Sequence, residues 1–187
     1  RTKAMRSRCL GSMLAWMRNT KPETLSSSGA TGRSTAVWGL GGGAMVHFLR
    51  AFLPGIRVDA VEIDPAVPMA ARDGTTLMSF VGRPVGDGPF GVVMERTPYL
   101  RVDTANGVFW ASRGFIYVKQ DVRGRGGSGG VLDMNAGQEE DGYDAVEWAA
   151  TLPGSNGRVG MIGRSNPGLY AWYAAIAAPP HLAAIAP

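Results

Sequence analysis

Residues 157–178 read GRVGMIGRSNPGLYAWYAAIAA. GRVGMIG (157–163) holds a short apolar run between glycines, as a buried strand does. LYAWYAAIAA (169–178) is small and apolar, as a core-facing helix is. Between them, GRSNPG (163–168) must turn the chain sharply. A strand, a glycine-flanked turn and a small-residue helix form the setting in which a nucleophile elbow exposes a serine. Ser165 is therefore either a nucleophile on that turn or a polar residue of a glycine-rich loop. A serine hydroxyl attacks poorly unless a neighbouring base takes its proton, so the rest of the chain must decide. Pro167 suits a first helical turn, where its missing N–H has no partner to lose. It also pushes Asn166 away from helical dihedrals, and the two preferences conflict.

The flanking sequence continues the alternation of strands and helices. VPMAARDGTTLMSFVGRP (67–84) reads as a β-hairpin turning at Asp73-Gly74. GPFGVVMER (88–96), RGFIYVKQD (113–121) and LAAIAP (182–187) read as further strands. GQEEDGYDAVEWAATL (137–152) places Val146, Trp148, Ala149 and Leu152 at near-helical spacing, so an amphipathic helix is expected. This order predicts an α/β fold with a mainly parallel sheet. Residues 90–94, 115–119 and 159–162 should be neighbouring strands, with Ser165 just beyond the C-terminal end of the last.

The front of the chain has a different character. AVWGL (36–40), GGG (41–43), AMVHFLRAFL (44–53) and RVDAVEI (57–63) read as a Rossmann-like βαβ unit with glycines at its first turn. Such glycines let a backbone approach a ligand, and Glu62 follows Gly41 by 21 positions, a spacing at which an acid meets a ribose. The stretch VWGLGGGAMVHFLRAFLPGIRVDAVEIDPAV resembles the cofactor-binding start of class I methyltransferases of the spermidine-synthase-like branch. That resemblance implies S-adenosylmethionine as a cofactor, with Gly39, Gly41 and Gly43 facing its methionine part and Glu62 holding the ribose. The plain alternative is a packing unit that binds nothing.

The 187 residues carry a net charge of +4, but residues 1–33 hold seven Lys/Arg against Glu23 alone. The excess belongs to a basic leader (1–35), expected to be flexible, and argues against nucleic-acid binding by the folded part. Its patch CLGSMLAWM (9–17) leaves a secretory or transit leader open beside a cytoplasmic location. No apolar run approaches the roughly 18 residues of a membrane span. The single Cys9 excludes an intrachain disulfide and a thiolate zinc site. No metal is expected, and no oligomeric state is indicated.

DGTTL, GPFGVVMERTPYLR, ASRGFIYVKQDVRGRGGSGG, EEDGYDAVEW, SNGRVGMIGRSNPG and APPHLAAIAP follow one another between residues 67 and 187. Together they closely resemble the N-terminal half of the cocaine esterase and X-prolyl dipeptidyl-peptidase family of α/β-hydrolases. The resemblance implies a small ester, an amide or a short peptide as substrate, attacked by Ser165 to form an acyl-enzyme without a cofactor. It implies an oxyanion hole made by the Tyr99 hydroxyl and the Asn166 backbone N–H, although that position is usually aromatic in the family. It also implies that the catalytic Asp and His lie downstream, so residues 67–187 are expected to form a truncated, nearly inactive domain. A non-catalytic fusion fragment is the remaining alternative.

His47 and His181 are the two histidines, and neither is expected to activate Ser165. Glu139, Glu140 and Asp141 are expected to favour a helix dipole at the helix start. QDVRGRGGSGG (120–130) lacks the Lys-Ser/Thr ending of a phosphate loop. It is read as a structural loop in which Asp121, Arg123 and Arg125 form local ion pairs and Ser128 is no nucleophile.

Overall fold

A computed structural model describes residues 34–38, 57–134 and 136–187, with 34–38 and 57–60 as backbone. The strands are β1 (Ser34–Trp38), β2 (Arg57–Ala70), β3 (Thr76–Pro84), β4 (Phe90–Thr97), β5 (Phe115–Asp121), β6 (Ser155–Ile162) and β7 (Leu182–Ala186). Among the described residues the helices are α1 (Thr104–Ala111), α2 (Gln138–Ala150) and α3 (Asn166–Ala177). The strands form one sheet in the order β1-β2-β3-β5-β4-β6-β7. β2 and β3 are antiparallel, as are β3 and β5, and the other neighbours run parallel. The sheet is thus mixed but mainly parallel, and β5, β4 and β6 lie side by side as expected.

Alternation along the strands makes two cores. Val92 and Met94 of β4 face α2 and α3, where they pack with Ile116, Val118, Val159 and Met161 of the sheet. The alanines at 145, 149, 171 and 174 belong to the same cluster and let the helices lie close. Val93 points the other way, to Phe80 and Tyr117, with Trp110 of α1 packed against them.

The sequence pattern gives no sign of α1. It is only eight residues long and contains Asn106 and Gly107, both weak helix formers. Gly107 is there for packing: a Cβ on it would stand 2.8 Å from Cε1 of Phe80. Asp103 starts the helix instead, its Oδ1 accepting from Asn106 N at 3.1 Å.

The expected hairpin is present, with Ala70 opposite Thr76 and Asp73 Oδ1 accepting from Thr75 N at 2.9 Å. However, the expected boundary between residues 66 and 67 falls inside β2, which runs from Arg57 to Ala70 with a bulge between Asp64 and Val67. The front strands are parallel, with Trp38 beside Val61, and they belong to the same sheet as β3 to β7. The helix candidate 44–53 lies outside the described residues.

Candidate active site

β6 ends at Ile162, and α3 begins at Asn166 with Ser165 as its N-cap. Ser165 adopts φ 63° and ψ −127°, a region that costs a residue with a side chain about 1–3 kcal/mol. Its hydroxyl makes no capping bond, and the residue is exposed. Pro167 sits inside the first helical turn, and Asn166 is helical despite preceding it. The first-turn preference therefore prevails over the local restriction.

Gly163 explains the start of the motif. A Cβ there would stand 2.6 Å from Gly168 N and also collide with the Pro167 carbonyl carbon. These are backbone atoms, which cannot step aside as a flexible side chain can. Gly163→Ala should lower stability by about 3 kcal/mol, at the upper end of overpacking costs, as read from urea unfolding. A change below 0.5 kcal/mol would refute this account of the turn.

β4 runs beside β6 and parallel to it, so both deliver their C-terminal ends to one edge of the sheet. Just past β4, Tyr99 N donates to Thr97 Oγ1 at 3.1 Å, and the Tyr99 side chain is exposed. Asn166 Nδ2 donates to Tyr99 Oη at 3.1 Å. The fold therefore brings together Ser165, Asn166 and Tyr99, which are more than 60 positions apart at the widest. The loop carrying Tyr99 is held by Arg101, whose Nη1 pairs with Asp121 Oδ2 at 2.7 Å and whose Nε donates to Pro65 O at 3.1 Å.

Beneath this edge lies a cluster of charges that the sequence did not disclose. Arg96 of β4 is fully buried, donating from Nε to Gln120 Oε1 and from Nη1 to Gln138 O, each at 3.1 Å. Its Nη2 lies 3.5 Å from Asp141 Oδ2, and its guanidinium stands over the Tyr170 ring of α3. Burial pushes the Arg96 pKa down to about 10, against the pull of Asp141, so it stays charged at neutral pH. Arg123 donates to Asp141 at 3.0 and 2.6 Å and to Asp73 at 2.7 Å. The Arg123 hydrogen bond, then the Thr75 N–H, holds the Asp73 carboxyl well below the usual carboxylate range.

Two expectations need correction here. Glu139 and Glu140 are exposed first-turn acids, as expected, but Asp141 is buried and serves as counter-ion to Arg123 and Arg96. The ion pairs of the 120–130 loop are not local: Asp121 pairs with Arg101, and Arg123 pairs with Asp73 and Asp141. Ser128 is structural, as expected, its Oγ donating to Asp121 O and accepting from Met78 N, both at 2.8 Å.

His181 is far from the elbow. Its carbonyl accepts from Val159 N, and its Nδ1 lies 2.7 Å from Glu147 Oε2. Val159 lies in the middle of β6, whereas Ser165 lies past the end of that strand, on the turn into α3. His47, Gly39, Gly41 and Gly43 lie outside the described residues. Glu62 is exposed in mid-strand, opposite Arg83 of β3. Among the described residues no group of His, Cys, Asp or Glu could hold a metal ion, and no helix is long and apolar enough to cross a membrane.

The chain is 35% identical to the cocaine esterase of Rhodococcus sp. (strain MB1 Bresler) over 135 residues, which is 68% of this chain and 23% of that protein. It superposes on an α-amino acid ester hydrolase with a TM-score of 0.59 at 28% identity, covering 67% of this chain and 24% of the other. A CocE/NonD family hydrolase from Staphylococcus aureus gives 0.59 at 28% identity, covering 66% and 26%. This chain thus spans about a quarter of the length of these relatives. The matched family, X-Pro dipeptidyl-peptidase (S15 family), covers residues 73–187 and leaves 36–67 outside it; the expected likeness of that stretch to a methyltransferase is not supported. With an α/β-hydrolase-like sheet and this match over more than half its length, the chain belongs to the X-Pro dipeptidyl-peptidase (S15) family.

Proposed function

We propose that Ser165 is the nucleophile of an ester- or amide-cleaving reaction that passes through an acyl-enzyme. The observation that carries this reading is the Ser165 backbone at φ 63° and ψ −127°, on an exposed turn between β6 and α3. A fold has little reason to hold a serine there unless its hydroxyl is needed at that point. In the reaction, Ser165 Oγ adds to the substrate carbonyl carbon and loses its proton to a base. The carbonyl oxygen becomes an oxyanion. The Asn166 N–H, at the first helical position, has no intrahelical acceptor to satisfy, and it donates to that oxyanion together with the Tyr99 hydroxyl. Collapse expels the alcohol or amine, and water then releases the acid. No cofactor is needed for these steps.

Among the described residues, the His181 ring pairs with Glu147, its Nδ1 2.7 Å from Oε2, so His181 is not assigned as the base. The substrates in this reading are small esters, amides or short peptides, in keeping with an esterase, an ester hydrolase and a dipeptidyl-peptidase family among the relatives. The alternative, S-adenosylmethionine held by Gly39, Gly41, Gly43 and Glu62, draws no support from Glu62 in mid-strand. A boronic acid tests the hydrolase reading without requiring turnover. Ser165 Oγ bonds to boron as its proton passes to buffer, and the resulting tetrahedral boronate carries oxygen where the oxyanion would lie. Boron-11 NMR with phenylboronic acid should detect a tetrahedral adduct that disappears in Ser165→Ala. Failure of the wild-type chain to form it would defeat the reading.

A further inference from the structure

Among the described residues, the bond from Asn166 Nδ2 is the one hydrogen bond to the Tyr99 phenol oxygen. Tyr99 is 58% exposed, on a loop fixed at the backbone by Thr97 and through Arg101. Without the Asn166 bond, its hydroxyl would rotate freely and donate to water. A phenol oxygen offers one O–H and accepts through its lone pairs. An N–H arriving from Asn166 occupies the accepting side and leaves the proton to point elsewhere. The residue making this bond directly follows Ser165 and is the first residue of α3.

We propose that the Asn166 side chain is a positioning residue that holds the Tyr99 hydroxyl as a donor aimed at the oxygen of a tetrahedral adduct on Ser165. This rests on the reading of Ser165 as the nucleophile. One residue then links the two donors of the hole: its backbone N–H is the α3 donor, and its carboxamide orients the donor delivered by β4. The direction of the bond is the substance of the proposal. A carboxylate at this position would accept the Tyr99 proton and place negative charge beside the oxyanion. Leucine would fill similar space without directing the hydroxyl.

Two measurements test it. In nitrogen-15 NMR of the full chain, one Asn166 side-chain amide proton should lie downfield and exchange slowly, and Tyr99→Phe should remove both features. For phenylboronic acid, Asn166→Leu should weaken binding about tenfold, less than outright loss of an oxyanion donor, and Asn166→Asp about a hundredfold, comparable to that loss. An Asn166 amide indifferent to Tyr99→Phe overturns the proposal, as does an Asn166→Asp chain that binds as tightly as wild type. If the wild-type chain forms no Ser165-dependent adduct, the hydrolase reading fails and the proposal fails with it. An adduct that forms but ignores the Asn166 series overturns the proposal alone.

Discussion

Asp141→Ala is expected to cost about 3–5 kcal/mol of folding stability, the range for removing one partner of a buried ion pair. Asp141 is almost fully buried and is the carboxylate shared by Arg123 and the completely buried Arg96. Without it, Arg123 retains Asp73 and Thr75, but Arg96 is left with neutral acceptors. Arg96→Met should be milder, about 2 kcal/mol, roughly the cost of leaving buried acceptors without a donor. In that variant Asp141 keeps its two bonds to Arg123, and a charge that burial already disfavours is gone. Urea unfolding at pH 7 measures both. If Asp141 merely complemented the dipole of α2, its loss would cost no more than about 1 kcal/mol. A value that small, or equal losses in the two variants, would overturn the counter-ion assignment.

That comparison also marks where sequence reading ran out. The strands around the elbow were legible because each is a short apolar run ended by a glycine or a charge, and alternation requires only local residues. The turn at Asp73-Gly74 and the exit of β6 at Gly163 were legible for the same reason. Asp141 was not, because its partners Arg96 and Arg123 lie 45 and 18 positions before it, and only the strand order brings them together. Viewed locally, it is an acid in the first turn of a helix. α1 stayed hidden because Gly107 answers a contact with Phe80, 27 positions away, at the expense of helix propensity. Ser165 was legible from its strand–turn–helix setting, and Tyr99 and Asn166 only through the family resemblance, but the bond between Asn166 Nδ2 and Tyr99 Oη has no signature in spacing. The βαβ pattern at 36–67 did foresee two parallel strands, yet local alternation could not reveal that β2 continues into the hydrolase-like sheet.

Wild-type chain and Ser165→Ala should hydrolyse p-nitrophenyl acetate at rates equal within error, although the elbow is formed. Geometry and proton transfer are separate requirements, and the Ser165 turn bears on the first alone. Ser165 needs a base within about 3 Å of its hydroxyl. His181 is committed to Glu147 and the start of β7, beside Val159 in the middle of β6. In a complete serine hydrolase, loss of the histidine alone lowers kcat by about 10⁶-fold, leaving roughly 10³- to 10⁴-fold over water from the oxyanion hole and binding. That residual rate needs a bound, oriented acyl group, and acetate offers little surface to hold. The Ser165-dependent part should therefore vanish beneath background hydrolysis. The boronate adduct and the ester assay thus report different things: an adduct with no turnover is the expected pair of results, a formed hole without a base. A large Ser165-dependent rate that His181→Ala abolishes would make His181 the base and overturn the placement of that residue. The same rate surviving His181→Ala but lost in His47→Ala would move the base to the front of the chain, into residues that the S15 match does not cover.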